Sequence, residues 1–338
     1  MLWADIVRIL AIYLIVVIHV STIHPSITTD FTILAEFALI HTCVPLFVML
    51  SGALLLGKKE SYQTFFKKRL IRVFLPWITW TSIFTIISVI SQNQYSVLNI
   101  LHTFHTIFFP LFWFLPMIFA LYLLTPALRI FVQHAKKREI FFLILLWYFG
   151  TSIIPYVRDT AAFPLLVDNG ILRQLVEYFG YFLLGFYLIK LPLKKKHFRT
   201  LIMLFIGGIF FTIGMHYLKL QGVSNIKGDF FDYRAPGIIL ITASLFGMIF
   251  LAENYVKRHL NVPSKKAIVV LSNTSFGIYF IHYLFLNRAP LPTLLPSTHI
   301  ITISPAVDLF INGIIIFALS FVLIFCLQQI HGVKRFIG

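Results

Sequence analysis

Residues 2–20 read LWADIVRILAIYLIVVIHV. The run is long and apolar enough to cross a bilayer as one helix, which takes about 20 such residues. Yet it carries Asp5, Arg8 and His19. An ionisable side chain inside a spanning helix costs about 2.5–3.5 kcal/mol on insertion scales, so it persists where it faces a polar cavity. Arg8 and His19 are eleven positions apart. At about 100° per residue that is three turns plus roughly 20°, so both leave the helix on one stripe, about 16 Å apart along its axis. The stripe presents a permanent cation towards one membrane surface and a titratable imidazole towards the other. Asp5, three residues before Arg8, is placed to pair with it. The plainer alternative is structural: an interfacial salt bridge, with His19 bonded to a backbone carbonyl.

The remaining sequence continues in the same style. Of 338 residues 59% are hydrophobic and 12% charged, 37 are Phe, and the mean hydropathy is +0.89. Apolar segments fall at about 3–22, 34–56, 71–90, 111–131, 140–154, 171–189, 200–218, 235–254, 267–286 and 304–328. The expected fold is therefore all-α, a polytopic membrane bundle of about ten transmembrane helices, with 1–338 as a single domain. The first run lacks a small-residue cleavage site and is interrupted by Asp5 and Arg8, so it reads as a span and not as a signal peptide.

The net charge of +16 invites a nucleic-acid reading, but its distribution argues for topology. With the N-terminus cytoplasmic, the inner loops hold Lys58, Lys59, Lys67, Lys68, Arg69, Arg72, Lys136, Lys137, Arg138, Lys190, Lys194, Lys195, Lys196, Arg199, Lys257, Arg258, Lys265, Lys266, Lys334 and Arg335. That is 20 of the 28 basic residues, against Arg158, Arg173, Lys219, Lys227, Arg234 and Arg288 on the outer side. The positive-inside rule places both termini in the cytoplasm and needs no nucleic acid as partner. Cys43 and Cys326 lie in apolar segments and read as packing residues.

Three constellations could carry chemistry. The first is Arg8 with His19. The second is Arg69 with Arg72, at i and i+3 on the cytoplasmic start of the third span, where two guanidiniums on one α-helical face would clamp phosphate oxygens. Its alternative is a positive-inside stop signal made by Lys67, Lys68, Arg69 and Arg72. The third is the run Ser275-Phe276-Gly277-Ile278-Tyr279-Phe280-Ile281-His282, which places His282 at a depth similar to that of His19. Two histidines at one depth imply a shared polar pocket, or else two unrelated buried histidines. Lesser signals are the Arg173–Glu177 spacing of a helix pair, and Glu36 with His41 as candidates to line an acceptor pocket. Trp113, Trp147, Tyr148 and Tyr156 read first as interfacial aromatics. His102 and His105 sit in an outer loop, at about 91–110, with no third ligand, so no metal is expected. Asp159, Asp168, Asp229, Asp232 and Arg234 are outer polar residues within reach of a sugar.

Together these pieces resemble the acyltransferase 3 family, the integral membrane O-acyltransferases of bacterial surface polysaccharides, in its compact single-domain form. The carriers are Asp5-Ile6-Val7-Arg8 through His19, Val44-Pro45-Leu46-Phe47-Val48-Met49-Leu50-Ser51-Gly52, Arg69-Leu70-Ile71-Arg72, Trp113-Phe114-Leu115 with Leu123-Leu124-Thr125-Pro126, and Ser275 to His282. Each motif alone is weak; their order along ten apolar segments is specific. The resemblance implies acyl-CoA, usually acetyl-CoA, as donor and a glycan or lipid-linked sugar as acceptor, in the plasma membrane of a bacterium. Arg8, Arg69 and Arg72 would then hold the cofactor phosphates, His19 would act as general base or as a covalent acyl carrier, and His282 or a backbone amide would stabilise the oxyanion. Glu36 and Trp113 are the candidates for acceptor binding. The competing class is a non-enzymatic exporter of a lipid-linked sugar or polysaccharide. It would use a polar interior but has no need of a cytoplasmic phosphate clamp.

Overall fold

The computed structural model describes residues 1–21, 29–155, 170–223, 228–286 and 304–338. Tyr156, Arg158, Asp159, Asp168, Lys227 and Arg288 lie outside the described residues, as does most of the outer loops read at 155–170 and 287–303. Helix follows helix: α1 (Leu2–Val20), α2 (Phe31–Ile40), α3 (Cys43–Leu55), α4 (Tyr62–Arg69), α5 (Leu75–Gln92), α6 (Val97–Thr106), α7 (Phe114–His134), α8 (Lys137–Tyr148), α9 (Ile171–Lys190), α10 (His197–Leu220), α11 (Pro236–His259), α12 (Val262–Ile281), α13 (Pro305–Gln328) and the short α14 (Lys334–Ile337). No strand occurs among the described residues. Eight of the described stretches are long and apolar enough to cross a membrane. Each of the ten apolar segments read from the sequence is helical, so the chain is an all-α polytopic membrane bundle.

Proline placement explains where the helices change pitch. Wide π-helical turns occupy Leu70–Phe74, Ile107–Leu111 and Phe149–Ile153. Each lies against a proline: Pro76, Pro110 and Pro155. Proline brings no N–H and its ring crowds the carbonyl four residues back, which a locally widened turn relieves. Pro45 acts differently. It sits in the first turn of α3, and the second span breaks at His41–Thr42, where the Thr42 hydroxyl donates to the Leu39 carbonyl at 2.7 Å. Polar caps fix other starts: Asp30 accepts from the amides of Thr32 and Ile33 at α2, and Ser96 from that of Asn99 at α6. The stretch 91–110, expected as an outer loop, is instead mostly helix; its pattern of exposed Val97, Leu98 and Leu101 beside polar residues is amphipathic, too short to register as a span.

The described residues divide into two compact units that interleave in sequence. One comprises Met1–Leu14, Ile23–Lys58 and Ala120–Val269; the other comprises Ile15–Thr22, Lys59–Phe119 and Val270–Gly338. In the first unit, glycine permits backbone-to-backbone packing of α3 on α9. A Cβ at Gly52 would collide with the Phe182 carbonyl, and one at Gly185 with the Met49 carbonyl. Such close approach through small residues is how membrane helices gain packing where lipid offers no hydrophobic drive. Trp147, read as an interfacial aromatic, is instead core: it is buried against Gly180 and its indole donates to the Glu177 carbonyl at 3.1 Å. In the second unit, Trp77 stacks on Phe108 with centroids 3.9 Å apart. The fully buried Phe112 is ringed by Phe84, Tyr279, Phe280 and Tyr283. The Trp80 indole donates to the Ile337 carbonyl, which ties α14 to α5.

Candidate active site

The second unit gathers His19, His282 and Tyr283 around one point. His19 comes from the last turn of α1. His282 opens a tight 3-10 turn, His282–Phe285, that ends α12, so it stands just past the α-helix that the sequence reading gave it. The two imidazole centroids are 5.3 Å apart, and the Tyr283 ring lies 5.1 Å from His19 and 4.3 Å from His282. His282 is 0% exposed and Tyr283 3%, while His19 is half-buried. The His282 Nδ1 stands 3.1 Å from the Ile278 carbonyl. A carbonyl only accepts, so Nδ1 carries the proton and Nε2 of the neutral ring is an acceptor. The Tyr283 hydroxyl is 3.1 Å from His19 Nε2 and donates to the Leu111 carbonyl at 3.3 Å. That carbonyl is offered because helix hydrogen bonding stops at the π turn containing Pro110. Trp113 follows it in the turn at 112–113, half-buried.

Arg69 and Arg72 belong to the same unit. The α-helical spacing that would set them on one face is opened by the π turn beginning at Leu70, because a wider turn advances each residue by less than 100°. Arg69 is half-buried with its guanidinium 5.2 Å from the centre of the Phe65 ring. Arg72 is exposed. Nearby Lys68 pairs with Glu60 at 2.9 Å. This is a strongly cationic segment in which one guanidinium is steadied by an aromatic face and the next reaches solvent.

The other candidates fall in the first unit. Arg8 donates to Asp5 at 3.1 Å, the pair expected from the spacing. Glu36 is half-buried on α2, and His41 Nδ1 bonds the Phe37 carbonyl at 2.7 Å. Arg173 pairs with Glu177 at 2.8 Å, also as expected; Glu177 further receives Arg234, which grips Asp232 at 2.7 and 3.0 Å. Asp229 accepts from the Phe231 amide. Beside this ion-pair network, burial first, and then neighbouring Cys43 and Tyr178, hold the Tyr233 phenol well above the usual tyrosine range. Among the described residues no three His, Cys, Asp or Glu side chains converge as metal ligands would.

Two functional candidates escaped the sequence reading. Tyr283 directly follows the quoted motif and lies four residues after Tyr279, on the same helical face; extending the motif by one residue would have included it. Arg129 lies inside α7, 4% exposed, and its Nε donates to the Leu55 carbonyl at 2.9 Å, at the end of α3 where helix carbonyls lack intrahelical partners. It signals itself by the same rule that singled out Arg8, a charge inside an apolar run.

A helical membrane chain with an arginine and a histidine on α1, an Arg-x-x-Arg segment at the π turn and a histidine closing α12 matches the family model described as an acyltransferase domain, over residues 1–328. The chain belongs to the acyltransferase 3 family. It is a multi-pass membrane acyltransferase, and the exporter alternative gives way to that assignment. Neither the curated proteins nor the solved structures include a match.

Proposed function

We propose that this acyltransferase moves an acetyl group from cytoplasmic acetyl-CoA to a hydroxyl of a cell-surface or lipid-linked glycan, as a single catalytic domain in a bacterial plasma membrane with both termini cytoplasmic. The observation that carries the reading is the contact set of His19: an imidazole inside a membrane-spanning helix, bonded through Nε2 to the Tyr283 hydroxyl and set against His282. Membrane interiors retain such groups for function. His19 takes the proton from the acceptor hydroxyl as its oxygen attacks the thioester carbonyl carbon. A C–O bond forms, the tetrahedral intermediate collapses, and the C–S bond breaks. The CoA sulfur leaves with the proton that His19 returns. An imidazole titrates near neutrality and suits both transfers. His282, with a protonated Nδ1 committed to Ile278, supports the His19 ring and is the candidate to face the oxyanion when charged.

Donor recognition falls to the cationic segment. CoA carries several phosphate charges, and planar guanidiniums bind phosphate oxygens two at a time. The donor set at Arg69 and Arg72 fits that chemistry: two arginines within four residues, flanked by Lys67 and Lys68, on the side where the basic loops lie. Trp113, in the turn that follows the Leu111 carbonyl, is the candidate to stack on the sugar ring.

The reading makes a binding prediction. Acetyl-CoA or CoA, at 100 times its dissociation constant, should stabilise the purified protein by about 2.7 kcal/mol, visible as a rise in melting temperature. Equal melting temperatures with and without either compound, across millimolar concentrations, would remove CoA thioesters as donors.

A further inference from the structure

We infer that Tyr283 is a positioning residue that sets the tautomer and ring orientation of His19, acting through a hydrogen-bond chain that ends on the Leu111 carbonyl; this rests on the reading of His19 as base. The phenol has one proton and two neighbours, His19 Nε2 at 3.1 Å and the Leu111 oxygen at 3.3 Å. The Leu111 oxygen can only accept. When Nε2 carries a proton, in the neutral ring as in the charged one, Nε2–H points at the phenol oxygen. The phenol proton then goes to Leu111, and every group in this chain is satisfied. When His19 is neutral with Nε2 unprotonated, the phenol serves one neighbour and gives up the other. The chain therefore selects the neutral tautomer with its proton on Nε2 and leaves Nδ1 as the atom that takes the acceptor's proton. Holding that tautomer serves proton transfer without tightening donor binding.

The supporting structure is rigid. Tyr283 is 3% exposed, lies in the tight turn after α12 and packs against Phe112, whose backbone amide closes the π turn onto Ile107. The Leu111 carbonyl is left for the phenol because the chain turns at 112–113, and the Leu115 amide, which a continuous α-helix would aim at Leu111, donates to the Phe112 carbonyl at 2.8 Å instead. Two of the three π turns in the described residues border a proposed element of the site, the Arg69–Arg72 segment and the Leu111 carbonyl. Single widened turns recur at functional positions.

The test compares Tyr283→Phe with His19→Gln in purified protein, using labelled acetyl-CoA and a hydroxyl-bearing glycan. Phenylalanine keeps the ring and removes only the hydroxyl. The expected result is a kcat about 10- to 100-fold lower in Tyr283→Phe, the size expected for one hydrogen bond to a charged group, with KM for acetyl-CoA unchanged. Wild-type kcat in Tyr283→Phe, with His19→Gln inactive, overturns this inference and leaves His19 as base. Full activity in His19→Gln overturns the base reading and this inference with it. A parallel loss of kcat and acetyl-CoA affinity in Tyr283→Phe assigns the residue a structural role and also overturns it. Should the phenylalanine variant not fold, wild-type protein carrying 15N-labelled histidine decides at a pH where His19 is neutral. A His19 Nε2 proton with a through-space cross-peak to the Tyr283 hydroxyl upholds the chain; an unprotonated Nε2, or an Nε2 proton bonded elsewhere or exchanging with water, overturns it.

Discussion

Replacing His19 by alanine or glutamine is expected to lower acetyl transfer by about 10²–10⁴-fold, the usual contribution of a placed general base. Glutamine matters because its amide can still meet the Tyr283 hydroxyl, 3.1 Å from the imidazole nitrogen in the native protein. A histidine that merely satisfied Tyr283 would be rescued by it, whereas a base would not, since an amide takes no proton near neutral pH. The fold should tolerate either change. His19 is half-buried at the last turn of α1, and the Tyr283 hydrogen bond given up in the alanine variant contributes about 1 kcal/mol. Thermal stabilisation by CoA should survive in both variants, which separates lost chemistry from lost structure. Near-native turnover in His19→Gln would return His19 to the structural alternative.

Arg69→Ala combined with Arg72→Ala is the second large effect, and it should fall on binding. Charge-assisted hydrogen bonds contribute about 1.5–3 kcal/mol each. Two lost guanidiniums then weaken CoA by about 10²–10⁴-fold, while kcat at saturating donor changes little because His19 and Tyr283 are untouched. The singles should differ. Arg69, held over the Phe65 ring, is the more ordered and should cost more than the exposed Arg72. Arg69→Lys and Arg72→Lys keep the positive-inside charge but lose the planar fork, so they should recover insertion and only part of the affinity. Equal CoA affinity in wild type and the double alanine variant would mean that these arginines serve topology alone.

The fold was legible because bilayer physics leaves few choices: long apolar runs must be helices, and basic loops mark one side. What escaped were the places where the helical period itself changes. The π turns at Leu70–Phe74 and Ile107–Leu111 spoil any calculation made at 100° per residue, so Arg69 and Arg72 looked coplanar in sequence and are not equivalent in space. Prolines nearby were visible, but a proline in a span can kink, widen or start a helix, and Pro45 does the last. The approach of His19 to His282 could be suspected from matching depths, since depth in a membrane is close to a linear function of position along a helix. Tyr283 could not be assigned by depth. Beside His19 it meets a backbone carbonyl, that of Leu111, and sequence shows nothing of which carbonyls a helix leaves unused. Trp147 misled for a related reason: the aromatic-belt rule is statistical, and Gly180 on the neighbouring helix made a slot for the indole that no local pattern announces.

One measurement bears most directly on the whole account. Purified wild-type protein in vesicles, given acetyl-CoA on one side and a hydroxyl-bearing glycan, should release one CoA thiol for every O-acetyl ester formed, with neither product appearing when the other substrate is left out. Ester formed without thiol release, or thiol release with no ester on the glycan, would contradict direct transfer from CoA to a glycan hydroxyl as the function of this protein.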